Sequence, residues 1–236
     1  MSKRVLMIAT SNAKMGDTGK VTGIWAEELI LPYYTFTDSS LDVVIASPAG
    51  GAVPFDPSSI KAHGQNSAEI ERFLADPVAQ QKVTNTFTTA SVAASEFDGV
   101  FFPGGHGAMW DLPKDAAVTR VVETAFAAKK IIAAVCHGLA GLVTARRADG
   151  QSILDGLRVN GFTNEEESAV GLTNVVPFAL ESRMRDLGGK FEKAANWQAY
   201  AVRDGQLITG QNPQSSVLVA QLVLEALNVQ TATTAH

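Results

Sequence analysis

Short, nearly unbroken apolar runs alternate along the chain with longer segments in which apolar and polar positions recur at helical spacing. Four of these runs predict strands: RVLMIAT (4–10), LDVVIASP (41–48), GVFFPG (99–104) and KIIAAVC (130–136). Such runs are typical of parallel strands that are covered on both faces. Their alternation with helical segments predicts an α/β sheet with crossover helices.

The remaining segments predict helices, one hairpin and a single domain. Helices are predicted over residues 23–36, 114–128, 137–146 and 174–189, with a last helix that begins near Pro213. YAVRDGQLITG (200–210) has an Asp-Gly turn between two strand-like runs, which predicts a β-hairpin. No linker or repeat interrupts residues 1–230, and the polar tail 231–236 is expected to be flexible. The expected fold is a single-domain, flavodoxin-like α/β sandwich with a mainly parallel sheet, helices on both faces and a late hairpin.

Composition and charge limit the classes of function. The 236 residues are 46% hydrophobic and 18% charged, as in ordinary soluble proteins. The net charge is −5 and basic residues are scattered, which predicts neither a nucleic-acid partner nor a membrane partner. The first apolar run is too short for a signal peptide, and no later run could cross a bilayer. We therefore expect a cytoplasmic protein whose partner is a small molecule or another protein.

The numbers and positions of cysteine and histidine argue against disulfide bonds and metal ions. The chain has one cysteine, so it cannot form an internal disulfide bond. The four histidines show no close pair at ligand spacing, and one cysteine cannot build a structural zinc site. We predict no metal site.

The one cysteine, Cys136 in AAVCHGLAGLV (133–143), ends a predicted strand and precedes a predicted helix. A sharp strand-to-helix turn lifts a nucleophile into the crevice at the carboxyl ends of the strands. The usual elbow has glycine two places before and two places after the nucleophile, where this chain has Ala134 and Gly138. Such an elbow would point the thiol at solvent, and the helix dipole would favour the thiolate. The alternative is an inert cysteine of the core.

A glycine-rich turn follows another predicted strand, in FFPGGHGAMWDLP (101–113). Gly104 and Gly105 leave backbone N–H groups uncovered, so the turn could hold an oxyanion beside the cysteine. His106 either faces the ligand or is a turn histidine that bonds to local backbone.

Acidic residues at two places are candidates for proton transfer. In TGIWAEELILPYYTF (22–36), helical spacing places Glu28 on the face of Ile24, where a partly desolvated carboxyl could exchange protons with a thiol. Glu27 is expected to point elsewhere, into solvent. The three glutamates of NEEESAV (164–170) are typical of a solvated helix start, from which one could turn inward to orient a histidine. A surface charge is the alternative at each position.

Taken together, these motifs resemble the ThiJ/PfpI (DJ-1) superfamily. The matching segments are AAVCHG, FFPGGHG, TGIWAEELILPYYTF, GFTNEEE and DGQLITGQNP. The most similar class is the heat-shock-chaperone-like class, which contains glutathione-independent glyoxalases (glyoxalase III). The resemblance extends from the first strand to the last helix. It implies a ThiJ/PfpI-like (class I glutamine amidotransferase-like) domain over residues 1–230 and a homodimer.

The resemblance also implies residue roles: Cys136 as nucleophile, His137 as its general acid/base, Glu28 as the glutamate beside the thiol, and Glu167 as the residue that orients the histidine. Gly105 and the backbone of His137 match the oxyanion positions, with Gly104 and His106 beside the substrate. Leu139 departs from the proline of many relatives, which alters the first turn of the helix.

The reaction so implied is the conversion of a 2-oxoaldehyde such as methylglyoxal to a 2-hydroxy acid. Cys136 adds to the aldehyde, Glu28 moves a proton through an enediol, and water activated by His137 hydrolyses the thioester. No cofactor is needed, because the isomerisation is an internal redox reaction. The alternatives are a stress holdase chaperone, a redox sensor with an oxidisable Cys136, and a hydrolase, deglycase or isonitrile hydratase that uses the same cysteine.

Overall fold

A seven-stranded sheet forms the centre of the computed structural model, which describes residues 2–229. The strands are β1 (Arg4–Ile8), β2 (Asp42–Ser47), β3 (Phe87–Thr88), β4 (Gly99–Phe102), β5 (Ile131–Val135), β6 (Arg158–Val159), β7 (Lys190–Phe191), β8 (Ala201–Asp204) and β9 (Leu207–Gly210). The main sheet has the order β3-β2-β1-β4-β5-β9-β8, and only the β8–β9 pair is antiparallel. Strands β6 and β7 form a separate parallel pair. The predicted α/β fold with a late hairpin is therefore confirmed.

Eight α-helices accompany the strands within the described residues. They are α1 (Ala26–Asp38), α2 (Ala68–Ala75), α3 (Pro77–Thr84), α4 (Ala108–Asp111), α5 (Ala116–Ala127), α6 (Asn164–Ala169), α7 (Leu180–Asp186) and α8 (Ser216–Ala226). Across residues 2–229, no helix combines the length and the apolar character that a membrane crossing requires. The predicted tail 231–236 lies outside the described residues.

The centre of the sheet is buried on both faces. All residues of β4 and β5 are buried, and in β1 only Arg4 is partly exposed. Helix α1 packs against α8, and its Phe36 meets Phe101 of β4 edge to face, with ring centroids 5.6 Å apart. Each such buried aromatic or aliphatic side chain contributes about 1.5–3 kcal/mol. This packing fixes the carboxyl ends of β4 and β5, from which the candidate site is built.

Two predicted helices differ from the structure. The segment predicted as a helix over residues 137–146 is a 3-10 helix at Cys136–Leu142, because Gly138 and Gly141 are poor helix formers that let the chain lie directly on Phe102. The helix predicted over residues 174–189 shortens to α7, because Pro177 restricts the backbone before it.

Helices α2 and α3 were absent from the sequence-based prediction, although each has a cap visible in the sequence. The Ser67 side chain accepts from the backbone N–H of Ile70, and the Asp76 carboxylate accepts from those of Val78 and Ala79. An Asp-Pro pair is a standard helix start, because Pro77 has no N–H group to leave unsatisfied.

Candidate active site

Cys136 occupies a strained elbow between β5 and the 3-10 helix. Its backbone φ is +56°, a left-handed value that is uncommon for a non-glycine residue and is typical of functional turns. Gly138 permits the turn, because a Cβ there would overlap the carbonyl oxygen of Phe102. The Cys136 side chain is only 3% exposed and faces a cavity of about 150 Å³. The predicted elbow is present, but its thiol is buried and faces a partly open cavity.

His137 joins the thiol to a carboxylate. The Nδ1 atom of His137 lies 3.3 Å from Sγ of Cys136, and its Nε2 atom lies 2.7 Å from Oε2 of Glu167. Consecutive side chains usually diverge, yet these two are in contact. Because a carboxylate only accepts hydrogen bonds, Nε2 carries the proton and the neutral ring presents Nδ1 as an acceptor to the thiol. The three side chains therefore form a Cys–His–Glu triad.

His106 forms a second contact with the same carboxylate. Its Nε2 atom lies 2.8 Å from Oε1 of Glu167, and its ring centroid lies 4.0 Å from that of His137. His106 also lines the cavity. The alternative of a turn histidine whose side chain bonds to local backbone is wrong, because the imidazole bonds to a side chain on α6.

The two histidines and Glu167 bring possible ligand atoms within 4.8 Å of one another. The prediction of no metal site rested on spacing along the sequence, which did not show this cluster. His106 and His137 are distant in the sequence and meet only through the fold. Each Nε2 is at hydrogen-bond distance from one carboxylate oxygen, so the cluster is satisfied as a hydrogen-bonded unit.

Burial and mutual contact set the charges of this cluster. Desolvation, reinforced by His106, lowers the pKa of His137 to about 4, so this ring is neutral at pH 7. Burial alone would raise the pKa of Glu167, but the contacts with His137 and His106 outweigh it and lower that pKa to about 2. Glu167 is therefore a carboxylate held by two ring N–H donors.

Glu28 is fully buried on α1 and lines the same cavity. Neither of its carboxyl oxygens has a hydrogen-bond partner of normal geometry among residues 2–229. Burial raises the pKa of Glu28 well above its ordinary value, and contacts with the Cys136 thiol and the Gly104 backbone only partly oppose this. Glu28 thus rests as a neutral acid, as its predicted place on the apolar face suggested.

The thiol is also neutral at rest. Burial first, and the neighbouring Glu28 second, raise the pKa of Cys136 well above its ordinary value. The expectation that a helix dipole favours the thiolate is therefore wrong. The following segment is a short 3-10 helix, and its field does not outweigh the desolvation of sulfur.

Two glycines after β4 provide the floor of the site. A Cβ at Gly104 would overlap Oε2 of Glu28 and the backbone of Val135. Gly105 has φ +109°, and its backbone N–H donates to no acceptor among the described residues. The backbone N–H of His137 donates toward the Cys136 sulfur, which lowers the pKa of the thiol but less than burial raises it. These two N–H groups are where the oxyanion positions were expected, so both can serve a developing oxyanion.

The three consecutive glutamates at the start of α6 have three different surroundings. Glu165 is exposed and pairs with Lys193 at 2.7 Å, whereas Glu167 holds the two histidines. Glu166 is fully buried and accepts five hydrogen bonds: from the backbone N–H and hydroxyl of Thr163, the backbone N–H of Trp197, and the side-chain amides of Gln211 and Asn212. The interpretation of this run as a solvated helix start holds for Glu165 alone.

The mouth of the cavity contains residues that sequence reasoning did not identify. Phe162, Val170, Trp197 and Pro213 line it, with Trp25 from the segment before α1. Glu27 also lines the cavity and is only half-buried, so the expectation that it points away from the site is wrong. Its Oε2 atom lies 3.4 Å from the indole nitrogen of Trp25, which lines the same cavity.

Comparison with known proteins places this geometry in a family. The model of the DJ-1/PfpI family matches residues 21–226. The chain belongs to the DJ-1/PfpI family. Two curated proteins that it resembles are the glutathione-independent glyoxalase HSP31 of Saccharomyces cerevisiae, 27% identical over 95% of this chain and 98% of that protein, and glyoxalase 3 of Candida albicans, 26% identical over 96% and 98%. The solved structure of Rapid Encystment Protein 24 KDa of Francisella tularensis is 39% identical, with a TM-score of 0.91 over 95% of this chain and 99% of that one.

Proposed function

We propose that this DJ-1/PfpI protein is a glutathione-independent glyoxalase that converts methylglyoxal or a similar 2-oxoaldehyde to a 2-hydroxy acid. The observation that carries this proposal is the buried, unpaired carboxyl of Glu28 in the cavity of the Cys136 triad. A cysteine hydrolase needs only the triad, whereas transfer of hydrogen from one carbon to the next needs a second proton carrier. The names of the two curated relatives support the same activity.

Attack on the aldehyde begins from a neutral site. The sulfur of Cys136 bonds to the aldehyde carbon C1 while its proton passes to Nδ1 of His137. Glu28 gives its own proton to the aldehyde oxygen, which completes the hemithioacetal. This step converts Glu28 into the carboxylate that the next step requires.

Isomerisation then moves one hydrogen from C1 to C2. The carboxylate of Glu28 removes the C1 proton, and His137 returns its proton to the oxygen on C2, which gives an enediol. Glu28 delivers its proton to C2 and recovers the proton of the oxygen on C1. The product is the thioester of a 2-hydroxy acid, and Glu28 is again neutral.

Hydrolysis releases the product. Water adds to C1 while one of its protons passes to Nδ1 of His137, and the backbone N–H groups of Gly105 and His137 stabilise the oxyanion. The C–S bond breaks, and the sulfur of Cys136 takes the proton from His137. Glu167 keeps the ring in the required tautomer throughout.

The test is lactate formation from methylglyoxal without glutathione, metal or nicotinamide. Wild type should form lactate, and Cys136→Ser should not, because a serine hydroxyl is a far weaker nucleophile at neutral pH. Glu28→Gln should also lose lactate formation. Glu225→Gln, which removes an equal charge from an exposed position of α8, should keep it. Absence of lactate with the wild-type protein overturns the proposal.

A cysteine hydrolase is the second candidate, because the Cys136–His137–Glu167 triad is complete without Glu28. Glu28→Gln separates the two. For a glyoxalase, this variant should still be acylated at Cys136 by an activated ester while it forms no lactate. For a hydrolase, ester turnover should continue, and neither protein should form lactate. The holdase, redox-sensor, deglycase, isonitrile hydratase, homodimer and cytoplasmic expectations stay predictions.

A further inference from the structure

A series of aromatic rings leads from the surface to the reactive sulfur. The Trp197 ring lies 5.8 Å from that of Phe162, and the Phe162 ring lies 4.4 Å from that of His137, both measured between centroids. We call Phe162 and Trp197 the aromatic wall. Trp197 is 39% exposed, so burial in the core does not explain its position.

Trp197 is held in place at a cost in backbone strain. Its φ is +63°, a left-handed conformation that costs of the order of 1–3 kcal/mol for a bulky residue. The buried carboxylate of Glu166 accepts its backbone N–H at 2.9 Å and also binds Asn212, which precedes Pro213 at the cavity mouth. The buried carboxyl group of Glu166 therefore fixes the backbone from which the exposed indole lines the cavity. This arrangement is expected where the indole contacts a ligand.

Glu27 gives the lining of this cavity an acidic character. Among the described residues, no lysine or arginine lines the cavity, whereas Glu27 does. A phosphate or carboxylate on a ligand would therefore meet a carboxylate and no cationic partner. Recognition of such groups ordinarily uses arginine or lysine.

We infer that the substrate class is uncharged 2-oxoaldehydes that carry a flat apolar substituent, with Glu27 as a specificity-determining residue that disfavours anionic substrates. The inference rests on the proposed function. With C1 bonded to Cys136, the substituent on C2 extends along the aromatic wall toward the opening. Stacking on Phe162 and Trp197 then favours an aryl group over a methyl group.

Three probes of graded chemistry test the substrate class: methylglyoxal, phenylglyoxal and 4-carboxyphenylglyoxal. Wild type should show a higher kcat/KM for phenylglyoxal than for methylglyoxal, and about fivefold or more loss for the carboxylated compound. Trp197→Ala should lower kcat/KM for phenylglyoxal about tenfold, mainly through KM, and should change that for methylglyoxal much less. Equal loss for both substrates would assign Trp197 a structural role only.

The charge filter has a test that does not depend on turnover. Because Cys136 is the one cysteine, its alkylation by neutral iodoacetamide and by anionic iodoacetate can be followed by intact mass. The rate with iodoacetamide is divided by the rate with iodoacetate, and this ratio is then divided by the same ratio for free cysteine. The result should exceed one. Glu27→Gln should reduce this preference about fivefold, whereas Glu225→Gln, with the same change in net charge, should leave it unchanged.

The outcomes separate this inference from the proposed function. If methylglyoxal is converted but phenylglyoxal is a poorer substrate, the aryl preference is wrong and the glyoxalase proposal stands. If no aldehyde is converted, the glyoxalase proposal and the substrate class fail together, and the alkylation ratio still decides the role of Glu27. If Glu27→Gln and Glu225→Gln give the same ratio, Glu27 is not a charge filter.

Discussion

Replacement of Glu166 by Gln should destabilise the fold far more than the same change at exposed Glu165, and more than the same change at Glu167. An amide can keep its oxygen toward Trp197, Gln211 and Asn212, but its NH₂ group then faces the backbone N–H of Thr163, which loses its acceptor. Loss of one buried acceptor costs about 1–3 kcal/mol. Three charge-assisted hydrogen bonds become neutral ones, at about 1 kcal/mol each.

The easier burial of a neutral amide offsets part of this loss, so the net cost is about 3 kcal/mol. For a chain of this size that corresponds to a fall in Tm of about 6–12 °C. Thermal unfolding followed by circular dichroism measures it. Glu165→Gln is the matched control, since it breaks only an exposed ion pair with Lys193 worth less than about 1 kcal/mol.

Equal melting temperatures for Glu166→Gln and wild type would refute the reasoning. The five hydrogen bonds to the Glu166 carboxylate would then stabilise the fold no more than the hydrogen bonds of the amide. Glu167→Gln should show the opposite pattern. The carboxamide disturbs the tautomer of His137, so lactate formation should fall at least about a hundredfold. Its effect on Tm should be smaller than that of Glu166→Gln.

Three further predictions follow from the site. Iodoacetamide should alkylate Cys136 more slowly than free cysteine at pH 7, because burial raises the pKa of the Cys136 thiol. The rate should still increase with pH above pH 9, and a reaction faster than that of free cysteine at pH 7 would contradict the reasoning. Between pH 6.5 and pH 4, the free energy of unfolding of wild type should fall by about 1–3 kcal/mol relative to that of His137→Gln, since His137 takes up its proton more readily in the unfolded chain. The raised pKa of Glu28 acts in the opposite direction in both proteins and cancels in this difference. The exposed control His63→Gln should keep the pH dependence of wild type. Gly104→Ala should abolish lactate formation because its Cβ overlaps the backbone of β5 and a neighbouring carboxyl, whereas Gly99→Ala, with only ordinary contacts, should retain it.

Apolar runs predicted most of the central sheet because its inner strands β1, β4 and β5 are almost wholly buried. Strands β1, β2, β4 and β5 all lie within the predicted segments, and the Asp-Gly turn marked the hairpin of β8 and β9. The helix predictions were less accurate where a glycine packs closely against its neighbours or a proline restricts the residue before it. The segment that contains Gly138 forms a 3-10 helix where an α-helix was predicted, and α7 begins only after Pro177, later than predicted.

For the candidate site, position at a strand end or on a helix face was enough to predict that Cys136, Gly105 and Glu28 lie close together. The meeting of His106 with Glu167 was not predictable, because 61 residues separate them and no local pattern encodes the contact. The burial of Glu166 did have a signal, since Thr163 followed three residues later by glutamate forms a capping box. That pattern fixes one carboxyl against the helix start and makes complete solvation of the run impossible.

The resting charges of the site explain how a buried cysteine can be both protected and reactive. At neutral pH the thiol of Cys136 and the carboxyl of Glu28 both hold their protons, and the carboxylate of Glu167 is stabilised by hydrogen bonds from two imidazole rings. A reagent that offers no proton acceptor meets only a desolvated thiol, which is a poor nucleophile. An aldehyde differs because its oxygen can take the proton of Glu28 as sulfur attacks, while His137 takes the thiol proton. The neutral state therefore favours carbonyl substrates, and reaction itself generates the base that isomerisation needs.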